Sequence, residues 1–389
     1  FIIPFFLLFF KNLCGFALSK ITGDKISVYG GFETGGLIGC MNNGLNISET
    51  AVKIGKVRTD YLKNAENQNW FGIGGVVGTV SGNVSISDVS VNAAGEDSFV
   101  GSVNEKGEPT ATKTMSVGGI IGLTYKQNGK TSITDSKANI SLYGSNSGGI
   151  IGQNGTTNYN STSVIITNCT FGDIDNNGTQ PVVNGYASSG GIIGMEYADV
   201  TISMSAVKNA MVGIPNANNS DAGIGGYVGI KTSGELKITD CEVNNVTLSA
   251  EDQSKGAGVG GVIGHNDGGS TYAYDILINK LSYVRGNNNV SVSNLIGWNN
   301  GADLSSKFIG VSVNNTDCLP DIQYDNLKEP TNFTAVHADY NGIQDNTQDI
   351  GEGSDTHVDI NSPYVNINPS KTVGNKIFTG DFVGGNMQT

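Results

Sequence analysis

Apolar and polar residues alternate along short stretches of this chain, which predicts β-strands with one buried face. In the stretch from Val84 to Val91 the apolar residues are two positions apart, except across Asp88, where three positions separate Ile86 from Val89. A straight strand could not bury both of these residues on one side. Asp and Asn tolerate left-handed backbone geometry, so the pattern predicts a strand, a bend at Asp88 and a second strand.

This bent pair of strands recurs along the chain, and its form is Ile, a hydroxyl residue, usually Asp or Asn, and then a small residue. The copies start at Ile47, Ile86, Ile133, Ile166, Ile202 and Ile238. If the copies stack in register, the residues after the bend form one internal column: Thr50, Val89, Ser136, Cys169, Ser205 and Cys241. We find no long stretch of helical periodicity in this part of the chain.

A second repeated pattern, the glycine motif, reads Gly-Gly, two residues that are β-branched, Leu or Tyr, and Gly. Its seven copies occupy residues 35–39, 74–78, 118–122, 148–152, 190–194, 225–229 and 260–264, and a degenerate eighth copy occupies 293–297. The first and seventh copies start 225 residues apart, a mean spacing of 37.5. Repeats of this length are typical of solenoids, in which each unit buries its apolar face by stacking on its neighbours.

The paired glycines favour a structural interpretation, since glycine permits positive φ or a close approach of two backbones. A phosphate-binding loop is the functional alternative, but no copy is followed by Lys-Ser/Thr or opens a helix. We therefore expect the motif to form one wall of a coil.

These patterns predict an all-β fold, a parallel β-helix (β-solenoid) of about eight irregular coils with a C-terminal cap or extension. The predicted segments are a signal-like apolar segment or N-terminal arm at 1–19, a repeat domain at 20–314 and an acidic cap or assembly extension at 315–389.

The glycine motif followed by Ile-Thr-Asp-Ser or Ile-Thr-Asn-Cys resembles the GLUG-type repeats of bacterial surface proteins, and similar arrays occur in surface antigens of some protists. The resemblance covers about residues 35–314 and rests on recurrence. It implies an extracellular, adhesin-like or accessory role and carries no catalytic residues. The uneven spacing of 30 to 44 residues between copies departs from the family and implies insertions between coils.

The first ten residues are almost wholly apolar, and Gly15, Phe16 and Ala17 follow as small or apolar residues. Such a run is too short to span a bilayer and is typical of a secretory signal peptide. The alternative is an apolar arm that a partner must cover.

The C-terminal segment is strongly acidic. From 317 to 389 it has eleven Asp or Glu and only three Lys, together with short strand-like pieces that include Val365 and Ile367. We expect it either to cap the open end of the solenoid or to pair with a neighbouring subunit by strand addition. An assembly of the second kind would grow head to tail into a filament.

The whole chain is also acidic, with 22 Lys and Arg against 35 Asp and Glu, a net charge of −13. This argues against a nucleic-acid partner, because binding to phosphates needs clustered basic residues. It suits a secreted or cell-surface protein whose partners are copies of itself or surface glycans and proteins.

One short segment could bind a metal. Asp173, Asp175 and Asn177, followed by Gly178, match the opening of a calcium loop with oxygen ligands at alternate positions. The twelfth position is Asn184, where an EF-hand has a bidentate Glu. An Asx-rich turn between coils is the structural alternative, and we expect no other cofactor.

Secretion would make N-glycosylation relevant, and then only at exposed positions. The candidate acceptors are Asn46, Asn83, Asn139, Asn154, Asn160, Asn168, Asn177, Asn218, Asn245, Asn289, Asn314 and Asn332.

Cys169 and Cys241 hold the same repeat position with one copy between them. With one coil per repeat they lie two layers apart, about 9.6 Å at the usual strand spacing, too far for a disulfide. We expect both to be free and buried. The remaining cysteines of the predicted mature chain are Cys40 and Cys318.

No nucleophile or zinc motif accompanies the three histidines, His265, His337 and His357, which we interpret as surface residues. Five tyrosines predicted in loops could contact glycans: Tyr125, Tyr159, Tyr197, Tyr272 and Tyr274.

The sequence as a whole favours a non-enzymatic structural or adhesive surface protein. The alternative is a carbohydrate-active β-helix enzyme, a polysaccharide lyase or hydrolase, with Asp88, Asp135 and Asp240 aligned on one outer face. Asn168 and Met204 replace the acid in two copies, so these residues fit the role of bend formers better.

Overall fold

The computed structural model describes residues 16–42, 44–59, 71–111, 115–125, 129–158, 163–173, 180–213, 222–250, 257–285, 290–299, 307–309, 312–314 and 366–367. Within these ranges the chain is all-β, with no helix, and its strands are mostly parallel. The predicted all-β class is therefore confirmed for these residues, and the parallel strands are consistent with a β-solenoid.

The first half of the chain contains β1 (Phe16–Ser19), β2 (Thr22–Gly30), β3 (Thr34–Gly35), β4 (Ile38–Met41), β5 (Leu45–Thr59), β6 (Phe71–Gly74), β7 (Val77–Val80), β8 (Val84–Ala93), β9 (Phe99–Ser102), β10 (Met115–Gly118), β11 (Ile121–Thr124), β12 (Lys130–Thr134), β13 (Lys137–Asn139), β14 (Ser141–Gly148), β15 (Ile151–Asn154), β16 (Ser163–Thr167) and β17 (Thr170–Gly172). The second half contains β18 (Val182–Gly190), β19 (Ile193–Glu196), β20 (Val200–Ser203), β21 (Ala206–Lys208), β22 (Met211–Gly213), β23 (Ala222–Gly225), β24 (Val228–Lys231), β25 (Glu235–Ala250), β26 (Ala257–Gly260), β27 (Ile263–Asn266), β28 (Ser270–Arg285), β29 (Val290–Ser293), β30 (Ile296–Asn299), β31 (Lys307–Ile309), β32 (Ser312–Asn314) and β33 (Asn366–Ile367).

One sheet contains only the strands that follow the Gly-Gly pair of each motif. Its eight members pair in the order in which they occur along the chain, β4, β7, β11, β15, β19, β24, β27 and β30. Every one of these pairings is parallel. Each copy of the glycine motif therefore contributes one strand, and successive copies lie side by side.

The bent strands form a second parallel ladder in the same chain order. Ile86 of β8 aligns with Ile133 of β12, and Ile133 aligns with Ile166 of β16. The register continues through Ile202 to Ile238. All five side chains are 0% exposed, so the alternating pattern places one continuous apolar column in the core.

The predicted bends are present, and all have left-handed backbone geometry. The φ angles lie between 47° and 54° at Glu49, Asp88, Asp135, Asn168, Met204, Asp240 and Asp275. Met204 is the unexpected member, because unbranched apolar residues rarely adopt this conformation. Its side chain is 57% exposed, so the position is set by the neighbouring bends and not by packing of the side chain.

The residues after the bend form the predicted buried column, and most of its polar members also make hydrogen bonds. The Ser205 hydroxyl donates to the Ser203 carbonyl oxygen at 2.8 Å and accepts from the Cys169 backbone N–H at 3.0 Å. In the same way, Ser136 donates to Thr134 and accepts from the Val89 N–H. A hydroxyl here satisfies a buried N–H at the point where the bend interrupts the ladder.

The glycines of the motif permit close backbone approach. None of them has a positive φ, although all lie in the described residues. A Cβ on the first glycine, as at Gly118, would overlap a carbonyl oxygen of its own motif, that of Ile121. A Cβ on the second glycine, Gly119, would overlap the carbonyl oxygen of Gly149 in the next copy.

The third glycine faces the preceding copy. A Cβ on Gly152 would lie 2.5 Å from the carbonyl oxygen of Gly122, and one on Gly194 would lie 2.5 Å from that of Gly152. The three glycines of one copy therefore make three different contacts, within the copy, forward and backward. Close packing accounts for the motif, and the alternative of positive φ is excluded for it.

The degenerate eighth copy shows that the second position of the motif needs glycine only where another copy follows. Asn294 occupies the second-glycine position, and the Gly261 Cβ position overlaps the Asn294 carbonyl oxygen as it does in earlier copies. β30 is the last strand of its sheet, so no following glycine carbonyl opposes Asn294 among the described residues. A side chain is tolerated there, and the Tyr283 hydroxyl donates to Asn294 Oδ1 at 3.0 Å.

The two ends of the array differ. At the N-terminal end β1 and β2 pair with β5, and they form the outermost described strands there. At the C-terminal end β33 pairs in parallel with β32, with Val313 opposite Ile367. Ile367 is one of the strand-like residues noted in the acidic segment. The rest of that segment lies outside the described residues.

Candidate functional site

The outer face of the bent strands carries a column of hydroxyl groups, one from each of six successive repeats. These residues immediately precede the bend and are half-buried: Ser48, Ser87, Thr134, Thr167, Ser203 and Thr239. The ladder keeps them in register, and the Thr167 and Ser203 hydroxyls are 3.1 Å apart. Parallel strands are spaced by about 4.8 Å, so the face presents polar groups at regular intervals.

Tyrosines continue this face in the next repeat. Tyr274 aligns with Thr239 and Tyr272 aligns with Lys237. Both tyrosines lie on β28 and are half-buried, so the expectation that they lie in loops is wrong. Rings two positions apart on one strand face the same side, and tyrosine offers both an apolar ring and a polar hydroxyl to a ligand.

The other tyrosines of that group are placed differently. Tyr125 follows β11, and its hydroxyl lies 3.2 Å from Asn42 Oδ1. Tyr197 lies in the turn after β19, where burial and the charge of Asp267 raise its pKa. Tyr159 is outside the described residues.

The acids proposed for an enzyme active site line up at the bend. Asp88, Asp135 and Asp240 are exposed and all have φ near 50°. Asn168 lies between Asp135 and Asp240 in the ladder and donates from Nδ2 to Asp135 Oδ1 at 2.6 Å. The left-handed φ at each position gives a structural reason for Asp or Asn that requires no substrate.

Of the three residues of the calcium candidate, the structure describes Asp173. Asp173 is exposed, and its backbone N–H donates to the Lys208 carbonyl oxygen at 3.1 Å. Asp175 and Asn177 lie outside the described residues. Among the residues that the structure describes, no cluster of three or more His, Cys, Asp or Glu could hold a metal ion.

The glycosylation candidates divide by exposure. Asn46, Asn83, Asn168 and Asn245 are exposed. Asn139 and Asn154 are 7% and 0% exposed, so a glycan on either side chain is incompatible with this fold. Asn314 ends β32, and the remaining acceptors, Asn160, Asn177, Asn218, Asn289 and Asn332, are outside the described residues.

The described cysteines are free. Cys169 and Cys241 are buried and two ladder positions apart, as predicted. Burial raises the pKa of Cys169 to about 12 and that of Cys241 to about 11, so both remain thiols near neutral pH. Cys40 is half-buried, and burial together with Glu33 raises its pKa to about 12. Cys14 and Cys318 are outside the described residues.

The interpretation of His265 as a surface residue is wrong. Its side chain is 1% exposed and stacks on the Trp298 ring, with the ring centroids 4.7 Å apart and the planes at 5°. Its Nε2 lies 2.8 Å from Asp267 Oδ1. Parallel register places His265 beside Trp298 in the next strand, a pairing that local sequence does not reveal. His337 and His357 lie outside the described residues.

A buried polar column runs along the last position of the strands in the eight-stranded sheet. Its aligned members are Thr124, Asn154, Glu196, Lys231 and Asn266, and each is at most 1% exposed. Thr124 donates to Asn154 Oδ1 at 2.7 Å. Sequence inspection missed this column because each member ends a short strand and looks like an ordinary turn residue.

Glu196 and Lys231 are the charged members of the column. Lys231 Nζ donates to the carbonyl oxygens of Gly234 at 2.9 Å and Gly268 at 2.5 Å. Neither carboxylate oxygen of Glu196 has a hydrogen-bond partner among the described residues. Burial raises the pKa of Glu196 to about 8, against the opposing effect of Lys231, and Asp199 adds to the increase.

None of the described residues forms a helix long and apolar enough to cross a membrane. No protein-family model, curated protein or solved structure matches this chain.

Proposed function

We propose that this chain is a non-enzymatic extracellular surface protein whose role is structural or adhesive. In this proposal the repeats form a β-solenoid of about eight coils, with the acidic C-terminal segment as its cap or assembly extension. The observation that carries the proposal is that the recurrent residues serve the stacking of one repeat on the next. The glycines approach neighbouring backbone, and the post-bend hydroxyls satisfy buried N–H groups.

The outer hydroxyl face supports the adhesive role. It is a long polar surface with regular spacing that reaches Tyr272 and Tyr274, beyond which β31 continues the ladder with Lys307 and Ile309. Hydroxyl groups hydrogen-bond to sugar hydroxyls, and a tyrosine ring packs against the apolar face of a sugar ring. Surface glycans are therefore the partners we propose for this face.

Glycan-array binding tests the adhesive role. We expect the double variant Tyr272→Ala and Tyr274→Ala to lose most binding while the chain stays folded. Tyr29→Ala is the matched control, because Tyr29 is 62% exposed on a different strand. Equal binding by both variants would reject the tyrosine end of the face as the adhesive site.

The competing proposal is a polysaccharide lyase or hydrolase that uses the bend acids. Incubation of the purified chain with neutral and acidic polysaccharides, followed by an assay for new reducing ends, distinguishes the two. We expect no turnover. Turnover that disappears in the double variant Asp135→Asn and Asp240→Asn would replace our proposal with the enzyme.

A further inference from the structure

The apolar core is incompletely covered at its N-terminal end. Leu18, Ile26 and Leu37 belong to β1, β2 and the first glycine motif, and they are half-buried. Their counterparts in the next repeat, which are Ile47, Ile54 and Val76, are all 0% exposed. The apolar columns of the array therefore reach this end without a further layer over them in the part of the chain that the structure describes.

Among the described strands, the backbone also has an open edge at this end. Within the part of the chain that the structure describes, β4 pairs only with β7, and β1 pairs only with β5. An open strand edge offers N–H and C=O groups to an incoming strand. Apolar surface and a free edge at one place are the features of a docking surface for an extended segment.

The charge around this end is basic, unlike that of the rest of the chain. Residues 16–59 contain five Lys or Arg and three Asp or Glu. The Lys20 and Lys53 side chains are 77% and 63% exposed, and their nearest carboxylates, on Glu49 and Asp24, are 4.0 and 3.9 Å away. Exposed ion pairs of this length contribute little to stability. Both ammonium groups can therefore form an ion pair with another carboxylate.

The complementary charge lies in the C-terminal segment. Residues 315–389 contain eleven Asp or Glu and three Lys, and β33 within this segment adds as a parallel strand to β32. The segment thus combines negative charge with one short strand, Asn366–Ile367, that pairs in parallel with the array. Its 75 residues are more than the 30 to 44 that separate successive glycine motifs, so the segment is long enough to add one layer.

The glycine ladder of one chain cannot simply continue into the glycine ladder of a second chain. Asn294 has a side chain at the second-glycine position of the last motif, where a following motif would place a backbone carbonyl. The contact between two copies must therefore involve another part of the C-terminal end.

We propose that the N-terminal end surface, formed by β1 to β4, binds the acidic C-terminal segment of a second copy of this chain, so that copies associate head to tail. Strand addition supplies the backbone contacts, and Leu18 and Leu37 supply apolar contacts. Lys20 and Lys25, which is exposed on β2, attract the acidic segment. This inference deepens the proposed structural role and does not depend on the adhesive one.

Sedimentation velocity of the full chain at increasing concentration tests the proposal, at low and high salt. We expect association at low salt that weakens as salt screens the exposed charges. In the double variant Lys20→Glu and Lys25→Glu we expect the concentration for half association to rise about tenfold or more. The matched control, Lys130→Glu and Lys237→Glu, reverses two exposed charges away from the end and should associate normally.

A mixing experiment tests the head-to-tail geometry. The tail variant replaces Asp345, Asp349 and Asp355 by Asn and Glu352 by Gln. We expect each variant to be mainly monomeric alone. The lysine variant has a defective N-terminal end surface, and the tail variant has a defective acidic C-terminal segment. Mixed, they should form one-to-one dimers and nothing larger, since only one functional junction is available.

Several outcomes would overturn the proposal. They are a monomeric full chain at all concentrations, association that the end variant leaves unchanged, and a mixture that stays monomeric. Thermal melting of each variant identifies any loss of folding, and the tail variant provides a test that does not alter the array. A monomeric result would leave glycan binding, which has its own assay, unaffected.

Discussion

A side chain at the second glycine of the motif would enter space that the backbone of the next repeat occupies. At Gly119 a Cβ would overlap the Gly149 carbonyl oxygen and lie 2.6 Å from the Ala138 Cβ. Neither backbone can move without disturbing its own ladder. We expect Gly119→Ala to lower the free energy of unfolding by about 3 kcal/mol or more, as measured by urea denaturation.

Gly95→Ala is the control for this substitution, because nothing lies within 4 Å of a Cβ at Gly95. It should change stability by no more than about 0.5 kcal/mol. Equal effects of the two substitutions would mean that close packing is not the reason for the motif.

Glu196 is expected to make the stability of the protein depend on pH. Its pKa is about 8 in the folded chain and ordinarily 4.5. Between these values the folded chain retains a proton that the unfolded chain has lost, so stability falls as the pH rises through this range. Glu196→Gln keeps a neutral side chain at every pH. It should therefore remove this pH-dependent loss of stability, which is on the order of a few kcal/mol.

Melting temperatures of the native chain and the Glu196→Gln variant from pH 5 to pH 9 measure this component as the difference between two curves. Glu235→Gln is the control, because Glu235 is exposed. The three described thiols titrate at about 11 to 12, above this window. Parallel curves for the native chain and Glu196→Gln would contradict an elevated pKa of Glu196.

At the scale of the element, the bend and the residue after it act together. The bend places one residue at φ near 50°, and the next residue then has an N–H without a ladder acceptor. In two repeats a serine hydroxyl of the following repeat accepts it, and in a third the Sγ of Cys241 accepts the Ser205 N–H at 3.4 Å. Serine and cysteine in this column are therefore acceptors as well as small residues.

This dual role gives a prediction for Ser205. Ser205→Ala leaves the buried Cys169 N–H without its acceptor and should lower stability by about 1 to 3 kcal/mol. Ser205→Cys keeps a weak acceptor in a side chain of similar size and should cost clearly less. Chemical denaturation of the two variants decides the point, and equal losses would show that the column requires only small size.

The bends and the core columns could be predicted from sequence because their cause is local. The break in alternation at Asp88 and its recurrence at Asp135 and Asp240 place both the bend and its neighbours. The hydrogen bonds that Ser136 and Ser205 accept could not be predicted, since the donating N–H groups of Val89 and Cys169 belong to other repeats. His265 was misplaced for the same reason, because Trp298 covers it from the adjacent strand.

At the scale of the whole molecule, every layer depends on its neighbours, so stability should vary along the array. A repeat in the middle has two packed neighbours, and an end repeat has one. We expect amide hydrogens of β11, β15 and β19 to exchange most slowly, and those of β4 to exchange at least about tenfold faster. Hydrogen exchange with mass spectrometry measures this gradient, and uniform protection would indicate that the array unfolds as one unit.

At the scale of the whole array, the features that could be predicted are those that recur at the same position in every repeat. Repetition identified the solenoid-like ladder, because each motif contributes one strand in chain order. The outer hydroxyl column follows from the same register once the bends are known. The buried column around Glu196 and Lys231 could not be predicted, because it depends on which turn residues align across repeats of unequal length.

The forward contact of the second glycine and the backward contact of the third also constrain how the gene can change. A point mutation in one copy alters the surroundings of two others, so a larger residue fits only where no copy follows, as at Asn294. Duplication or deletion of a whole repeat keeps every such contact matched. The length of the array is therefore free to change by whole repeats, while the motif within each repeat stays nearly fixed.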